Sequence, residues 1–506
     1  MLLIYGTALL LYAALGSFLR SPGYMDAEYY QATGQQLAAG RGFQEPFLWN
    51  YLDDPAGVPH PSHQYWMPLA SLVSAAGIAV FGDSFRGAQI PFLLVAAAWP
   101  VLAYAAAWQL YGQRGHARLA AWLAAFPGLF LPFLLTTDTF GLFALTGGGA
   151  LLLAGRSGLG PRGAALAGAL IGMAHWTRAD GFLLWAPLLV AIAATRGGKP
   201  RLVLAAGLGY IAVMTPWLWR NLADTGRLWP SAGGRTLWLL SYDETFAYPA
   251  SILTPTRWWS AGFPFLIGER LRALATDARS LLIVSGLVFL APAMAVGAWR
   301  RRTAPLVGVG FAYLVALLVV MSFAFPYAGA RGGFFHSSAA LAPLFFALVP
   351  EGLEAIVGLA VRLRRWTADR ALRLFASTAV ALAVAFTAWA MWSRLTGNGG
   401  GAGWERNART YAEAAVLLPG GTAAVNDPPG LHLATGGATV AIPDGGEETL
   451  RAVVERYSVA WVLLENNHPR GLDGLYDGAP RPDFLGAPSS FTDPDGLPAY
   501  VFPVIR

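Results

Sequence analysis

The chain has 506 residues, of which 55% are hydrophobic and only 13% charged, with a mean hydropathy of +0.47. Soluble domains carry about 25% charged residues, and a globular core cannot absorb so many long apolar runs, which excludes an ordinary soluble enzyme. The net charge of +6 comes from short basic clusters between apolar runs, which leaves no role for nucleic acid, and the lack of cysteine removes disulfides and thiolate chemistry.

In chain order, apolar runs centre on residues 2–19, 88–111, 118–135, 140–154, 163–177, 182–195, 202–219, 281–299, 304–325, 338–361 and 373–395. Each approaches the roughly 20 helical residues that cross a bilayer, and backbone in lipid must pair within its own segment, so the runs predict an all-α polytopic bundle of about eleven transmembrane helices. The first run has no basic residues before it and reads as a retained helix rather than a cleaved leader. Alternate connections are basic: Arg114 to Arg118, Arg156 with Arg162, Arg196 to Arg201, Arg300 to Arg302, and Arg362 to Arg373. The positive-inside rule then puts the N-terminus in the cytoplasm and the C-terminus outside, in the plasma (inner) membrane of a bacterial cell envelope. Asp26, Glu28, Asp53, Asp138, Asp180, Asp243 and Glu244 fall in the opposite connections.

Three outer segments are large. The first outer loop, 20–87, predicts two interfacial helices, one over 26–40 and a short apolar one over 66–81. The second, 221–280, is rich in tryptophan, with Trp229, Trp238, Trp258 and Trp259, as expected at headgroup level. The tail has ordinary polarity, with alternating strands expected at 422–425, 438–442, 459–465 and 499–504 and a helix at 448–457. The predicted organisation is a transmembrane module over 1–396 and a small extracytoplasmic α/β domain over 397–506.

Several residues could carry chemistry. Asp26 and Glu28, flanked by tyrosines after the first run, could provide a base and a second acid that orients it or binds a cation. His60 and His63, pinned by prolines and followed by Tyr65, could ligate a divalent metal with Asp26 or Glu28, hydrogen-bond a phosphate or hydroxyl, or merely form a rigid turn. Asp138 suits a helix N-cap as well as the mouth of an outer cavity. Arg178, Arg220 and Arg331, the last near His336, sit at outer ends against the charge bias. Arginines there suggest an anion such as phosphate, or pairing with an acid such as Asp180.

Taken in order, these segments resemble the GT-C class of multi-spanning glycosyltransferases, which includes the protein O-mannosyltransferases and the aminoarabinose transferases. The resemblance rests on Tyr24-Met25-Asp26-Ala27-Glu28-Tyr29-Tyr30 after the first run and on His60-Pro61-Ser62-His63-Gln64-Tyr65-Trp66 before the second loop helix. It also rests on Trp176-Thr177-Arg178-Ala179-Asp180-Gly181 and Pro216-Trp217-Leu218-Trp219-Arg220-Asn221. It covers about residues 1 to 395 and implies an inverting transferase that moves a sugar from a polyprenyl-phosphate donor to a protein, lipid or glycan acceptor. It further implies Asp26 as general base, with Glu28 and Asp138 as accompanying acids. His60, His63, Tyr65, Arg178, Arg220, Arg331 and His336 would hold the substrates. The acids of familiar members are adjacent, whereas Ala27 intervenes here. Rival readings are a lipid or solute transporter, which would carry its ionisable residues near the bilayer midplane, and a scaffold that presents the C-terminal domain.

Overall fold

The computed structural model describes residues 1–230, 232–364, 367–398 and 403–505; part of the expected basic cluster between Arg362 and Arg373 falls on 365–366, outside the described residues. Five helices are long and apolar enough to cross a membrane: Phe85–Tyr111, Lys199–Thr225, Pro305–Ala324, Ala342–Arg362 and Ala368–Thr396. Their ends follow from local chemistry. Lys199–Thr225 starts after Gly198 and stops at Gly226, both left-handed, with Pro200 in its first turn, where a missing N–H costs nothing.

A sixth span is formed if Arg114–Ala125 and Gly128–Leu134 are taken together, bent by 54°. The bend falls at Pro127-Gly128, where proline removes a ladder donor and Gly128 has φ +62°. The other expected spans are helical but shorter than 18 residues: Leu2–Gly16, Phe140–Ala154, Pro161–Thr177 and Ala179–Ala193. The run at 281–299 is interrupted, because Leu287 and Val288 have φ of 45° and 58° between a wide turn at Leu281–Ser285 and the helix Ala291–Arg300. Length and composition therefore support a multi-pass membrane protein with five or six clear spans, where eleven apolar runs were expected. Leu204, Leu208, Phe311, Leu359, Leu374 and Trp392 point outward from these helices, as lipid-facing side chains do.

The two loop helices form at Met25–Ala38 and Leu69–Phe81 and pack on each other. A Cβ on Gly34 would stand 2.6 Å from Ser74 Oγ, so glycine permits the approach. The first loop helix is not a surface helix. Ala27 through Gly34 are all buried, because it lies between Leu69–Phe81 on one side and the C-terminal segment on the other.

Strands occupy Thr422–Val425, Thr439–Ala441, Val459–Leu464 and Pro498–Pro503, with a helix at Glu447–Arg456 that buries Leu450, Val453 and Val454. Two further strands complete the sheet. Ser489–Thr492 pairs antiparallel with Pro498–Pro503, and Phe47–Leu48 of the first outer loop pairs parallel with Thr439–Val440 at the other edge. Leu48 and Tyr51 enter the apolar core beneath this sheet with Ala424, Val440, Val462 and Phe502.

Candidate active site

The Met25–Ala38 helix begins after Tyr24, which has extended dihedrals, so Asp26 lies in its first turn, where the helix dipole favours an acid. Facing it is the Thr136-Thr137-Asp138-Thr139 loop, buried throughout. Thr136 Oγ1 donates to Pro22 O at 2.9 Å and Thr137 Oγ1 to Ala27 O at 2.8 Å, which fixes the loop against the start of the helix.

Asp138, 1% exposed, is held from both sides: the Tyr24 phenol donates to Oδ2, and the Thr139 amide and hydroxyl donate to Oδ1. The N-cap position of the helix Phe140–Ala154 belongs to Thr139, so Asp138 is not spent on capping. His336 follows the wide turn Gly329–Gly333 and stacks on Phe140, with ring centroids 4.0 Å apart. Its Nδ1 lies 3.2 Å from Thr139 Oγ1, and its Nε2 lies 3.8 Å from Asp26 Oδ2.

When the Thr139 hydroxyl proton lies on Asp138, Nδ1–H of His336 donates to Thr139 and Nε2 presents a lone pair towards the Asp26 carboxylate. Two acceptors facing each other need a proton or a cation between them. Asp26, Asp138 and His336 each offer an atom within 4.8 Å of the others, a set that fits a divalent ion. Asp26 itself retains 28% of its side-chain exposure. Enclosure by protein, with Asp138, pushes its carboxyl up; Arg178 opposes this and Asp427 adds to it, and the result is about 7.

Arg178 ends the helix Pro161–Thr177 and shares its Nε between Asp180 Oδ1 at 3.1 Å and Ser337 Oγ at 3.2 Å. The expected pairing with Asp180 is thus made, but through one nitrogen. Among the described residues, the two terminal nitrogens make no hydrogen bond, and the guanidinium charge acts on Asp26. Arg331 lies over the ring of Tyr242, 4.9 Å from its centroid, and Tyr242 in turn feels Asp26. Tyr65, braced edge-on by Trp49, feels the charges of Arg178 and Asp26.

Other candidates go elsewhere. Glu28 is two residues from Asp26 and, at about 100° per helical residue, faces away from it. It is buried against Asp427 and Asn407 of the C-terminal segment, and burial together with the facing Asp427 carboxyl pushes it well up. His63 is fully buried, its two ring nitrogens taken by Ser62 Oγ at 2.7 Å and Ser71 Oγ at 2.9 Å. His60 sits between Glu45 (2.7 Å) and Asp53 (3.8 Å) beside a cavity of about 340 Å³ that Gln64 and Arg227 also line. Neither histidine lies in the group with Asp26 and Asp138; His336 does. Arg220 is occupied by Asp224 at 2.8 Å, Phe43 O at 3.0 Å and the Trp217 ring. Tyr24 was noted only as a flank of the acids, and Thr139, Ser337 and Tyr242 were given no role from the sequence.

No protein-family model matches the chain, and no curated protein does. Solved structures do match. ArnT from Cupriavidus metallidurans bound to undecaprenyl phosphate superposes with a TM-score of 0.59 at 14% identity, over 99% of this chain and 97% of that one. The archaeal oligosaccharyltransferase AglB from Archaeoglobus fulgidus, in complex with an inhibitory peptide and a dolichol-phosphate, gives a TM-score of 0.58 at 12% identity, over 98% of this chain and 74% of that one. At such identities the likeness speaks for the fold, and the fold of this chain is that of the GT-C glycosyltransferases.

Proposed function

We propose that the chain is an inverting glycosyltransferase that moves a sugar from a polyprenyl phosphate to an acceptor at the extracytoplasmic face of the plasma membrane. The observation that carries this reading is the meeting of Asp26, Asp138 and His336 near a guanidinium, Arg178, whose terminal nitrogens make no hydrogen bond among the described residues. Support comes also from the solved neighbours, which hold undecaprenyl phosphate in ArnT and dolichol-phosphate in AglB.

In this reading Asp26 accepts the proton of an acceptor hydroxyl as its oxygen bonds to the anomeric carbon. The bond from that carbon to the phosphate oxygen breaks on the opposite face, and the electron pair leaves with the phosphate. Opposite-face displacement inverts the centre. Arg178 and Arg331 stabilise the charge that develops on the leaving phosphate, which needs electrostatic help more than a proton. Asp138, fixed by Tyr24 and Thr139, holds His336 and the base in register. A divalent ion bound by this set would supply further positive charge to the phosphate. Tyr65 and Tyr242 wall the sugar. In this reading the C-terminal segment, of which 397–398 and 403–505 are described, serves as an extracytoplasmic α/β domain.

The test is transfer from a panel of polyprenyl-phosphate sugars by wild type and Asp26→Asn in nanodiscs. Wild-type turnover that collapses in the variant, with lipid binding intact, supports the assignment; equal turnover removes Asp26 from the role of base. A wild type that neither turns over nor binds any member of the panel overturns the reading as a whole.

A further inference from the structure

Resting on the reading of Asp26 as base, we infer that Asp427 and Asn407 of the C-terminal segment are positioning residues for it, acting through Glu28 one half-turn along the same helix. The two acids of the Tyr24–Tyr30 stretch then divide the work: Asp26 faces the reacting centre, and Glu28 anchors the helix that carries it.

The anchor is closely built. Glu28 is 2% exposed and Asp427 3% exposed. Asp427 Oδ1 accepts from the amide of Gly430 at 3.1 Å, and its Oδ2 accepts from Asn407 Nδ2 at 2.9 Å, so its carboxylate is fixed at the start of the helix Pro428–Thr435. Glu28 faces this pair, and among the described residues its Oε2 lacks a hydrogen bond of standard geometry. A Cβ on Gly430 would stand 3.0 Å from Glu28 Oε2 and 2.8 Å from the Tyr411 ring, so the helix start presses on Glu28 without a side chain between them. Behind it, Tyr411 donates to Glu465 at 3.0 Å, and Arg406 binds Asp493 at 2.6 Å.

The position of the anchor decides its role. From the membrane side, Thr137 grips the carbonyl of Ala27; from the C-terminal side, Asp427 and Asn407 meet Glu28. Between them, the first helical turn is clamped on both flanks. A helix transmits a shift of one residue to its neighbours on the same turn, so movement at Glu28 becomes displacement of the Asp26 carboxylate from Asp138 and His336. If the contact served only to attach the C-terminal segment, the edge strand Phe47–Leu48 and the Gln36–His432 contact at 3.4 Å already do so. Burying facing carboxyls for that purpose is the expensive choice, and such groups are kept where geometry has to be specified.

The experiment uses the full chain in nanodiscs with Asp427→Ala and Asp427→Asn. For each, transfer kinetics are measured with a polyprenyl-phosphate sugar, alongside hydrogen exchange of residues 25–38 and binding of the polyprenyl phosphate alone. Asp427→Ala is expected to lower kcat by at least about tenfold, with donor KM within about twofold, since a misplaced reacting group costs rate rather than lipid affinity. Exchange in the first turn should rise. Asp427→Asn, which can still meet Glu28 and Gly430, should recover most of kcat and protect the turn again. Unchanged exchange and kcat in Asp427→Ala overturn the inference, as does equal loss of kcat, lipid binding and protection in both variants, which would mark a residue needed only for folding. If exchange responds as expected but wild type transfers no sugar, the clamp stands and the glycosyltransferase reading falls.

Discussion

Tyr24 and Asp138 are 114 residues apart in the chain, yet the phenol of one donates to the carboxylate of the other. The bond links the residue before the helix Met25–Ala38 to the acid that faces it. Tyr24→Phe removes one donor from a charged acceptor, a change of about 1.5–3 kcal/mol at such sites. Transfer should fall by about tenfold or more while the thermal midpoint stays within a few degrees. Equal rates in the two proteins would show that Asp138 needs only Thr139.

As the proposed base, Asp26 would set the pH dependence of transfer. Its carboxyl, pushed up to about 7, is protonated in part at neutral pH, and a general base works only when ionised. Log(kcat/KM) should therefore climb by about one per pH unit below 7 and level off above it. A profile already flat at pH 5 would assign proton removal to another group.

Arg178 is expected to resist conservative exchange. Its Nε is committed to Asp180 and Ser337, and its terminal nitrogens are what remains for a phosphate. Lysine cannot do both, because it lacks the planar fork. Arg178→Lys should lose about 10²-fold in transfer, close to Arg178→Ala, since removal of one oxyanion donor costs on that order. Inhibition by free polyprenyl phosphate should weaken in parallel; full activity of the lysine variant would leave only bulk charge at this position.

The helix Pro161–Thr177 and the long apolar helix Lys199–Thr225 meet through a reciprocal pair of glycines. A Cβ on Gly168 would lie 1.9 Å from Ala206 O, and one on Gly209 would lie 2.0 Å from Ala165 O. Small residues let such helices approach to backbone contact. Gly168→Leu should destabilise by about 3 kcal/mol or more through overpacking, seen as a lowered thermal midpoint in detergent. An unchanged midpoint would mean that these helices can separate freely.

Much of this could be read from residue order. Most apolar runs of helical length became helices, the run at 281–299 being broken at Leu287-Val288, and the stretches expected as strands at 422–425, 438–442, 459–465 and 499–504 formed them at Thr422–Val425, Thr439–Ala441, Val459–Leu464 and Pro498–Pro503, because both patterns are local. Asp26, Asp138, Arg178, Arg331 and His336 were each marked by an acid or a basic group in an unexpected place. What escaped was pairing at long range. Phe47–Leu48 is a strand of two residues, too short for any periodicity, and becomes one only because the strand at Thr439–Ala441 offers its edge. Glu28 was grouped with Asp26 by proximity in sequence, although helical geometry already turns residues i and i+2 apart. His60 and His63 look alike in sequence and diverge because Ser62 and Ser71 meet only one of them.

The strand at Phe47–Leu48 also imposes an order of events on biosynthesis. Its partner lies almost 400 residues downstream, so a segment made early must wait, unpaired, while every membrane helix is threaded. Assembly of this sheet is among the last steps, and such distant closure is slow. Chains truncated before residue 439 should insert normally and yet leave Phe47–Leu48 without its partner strand.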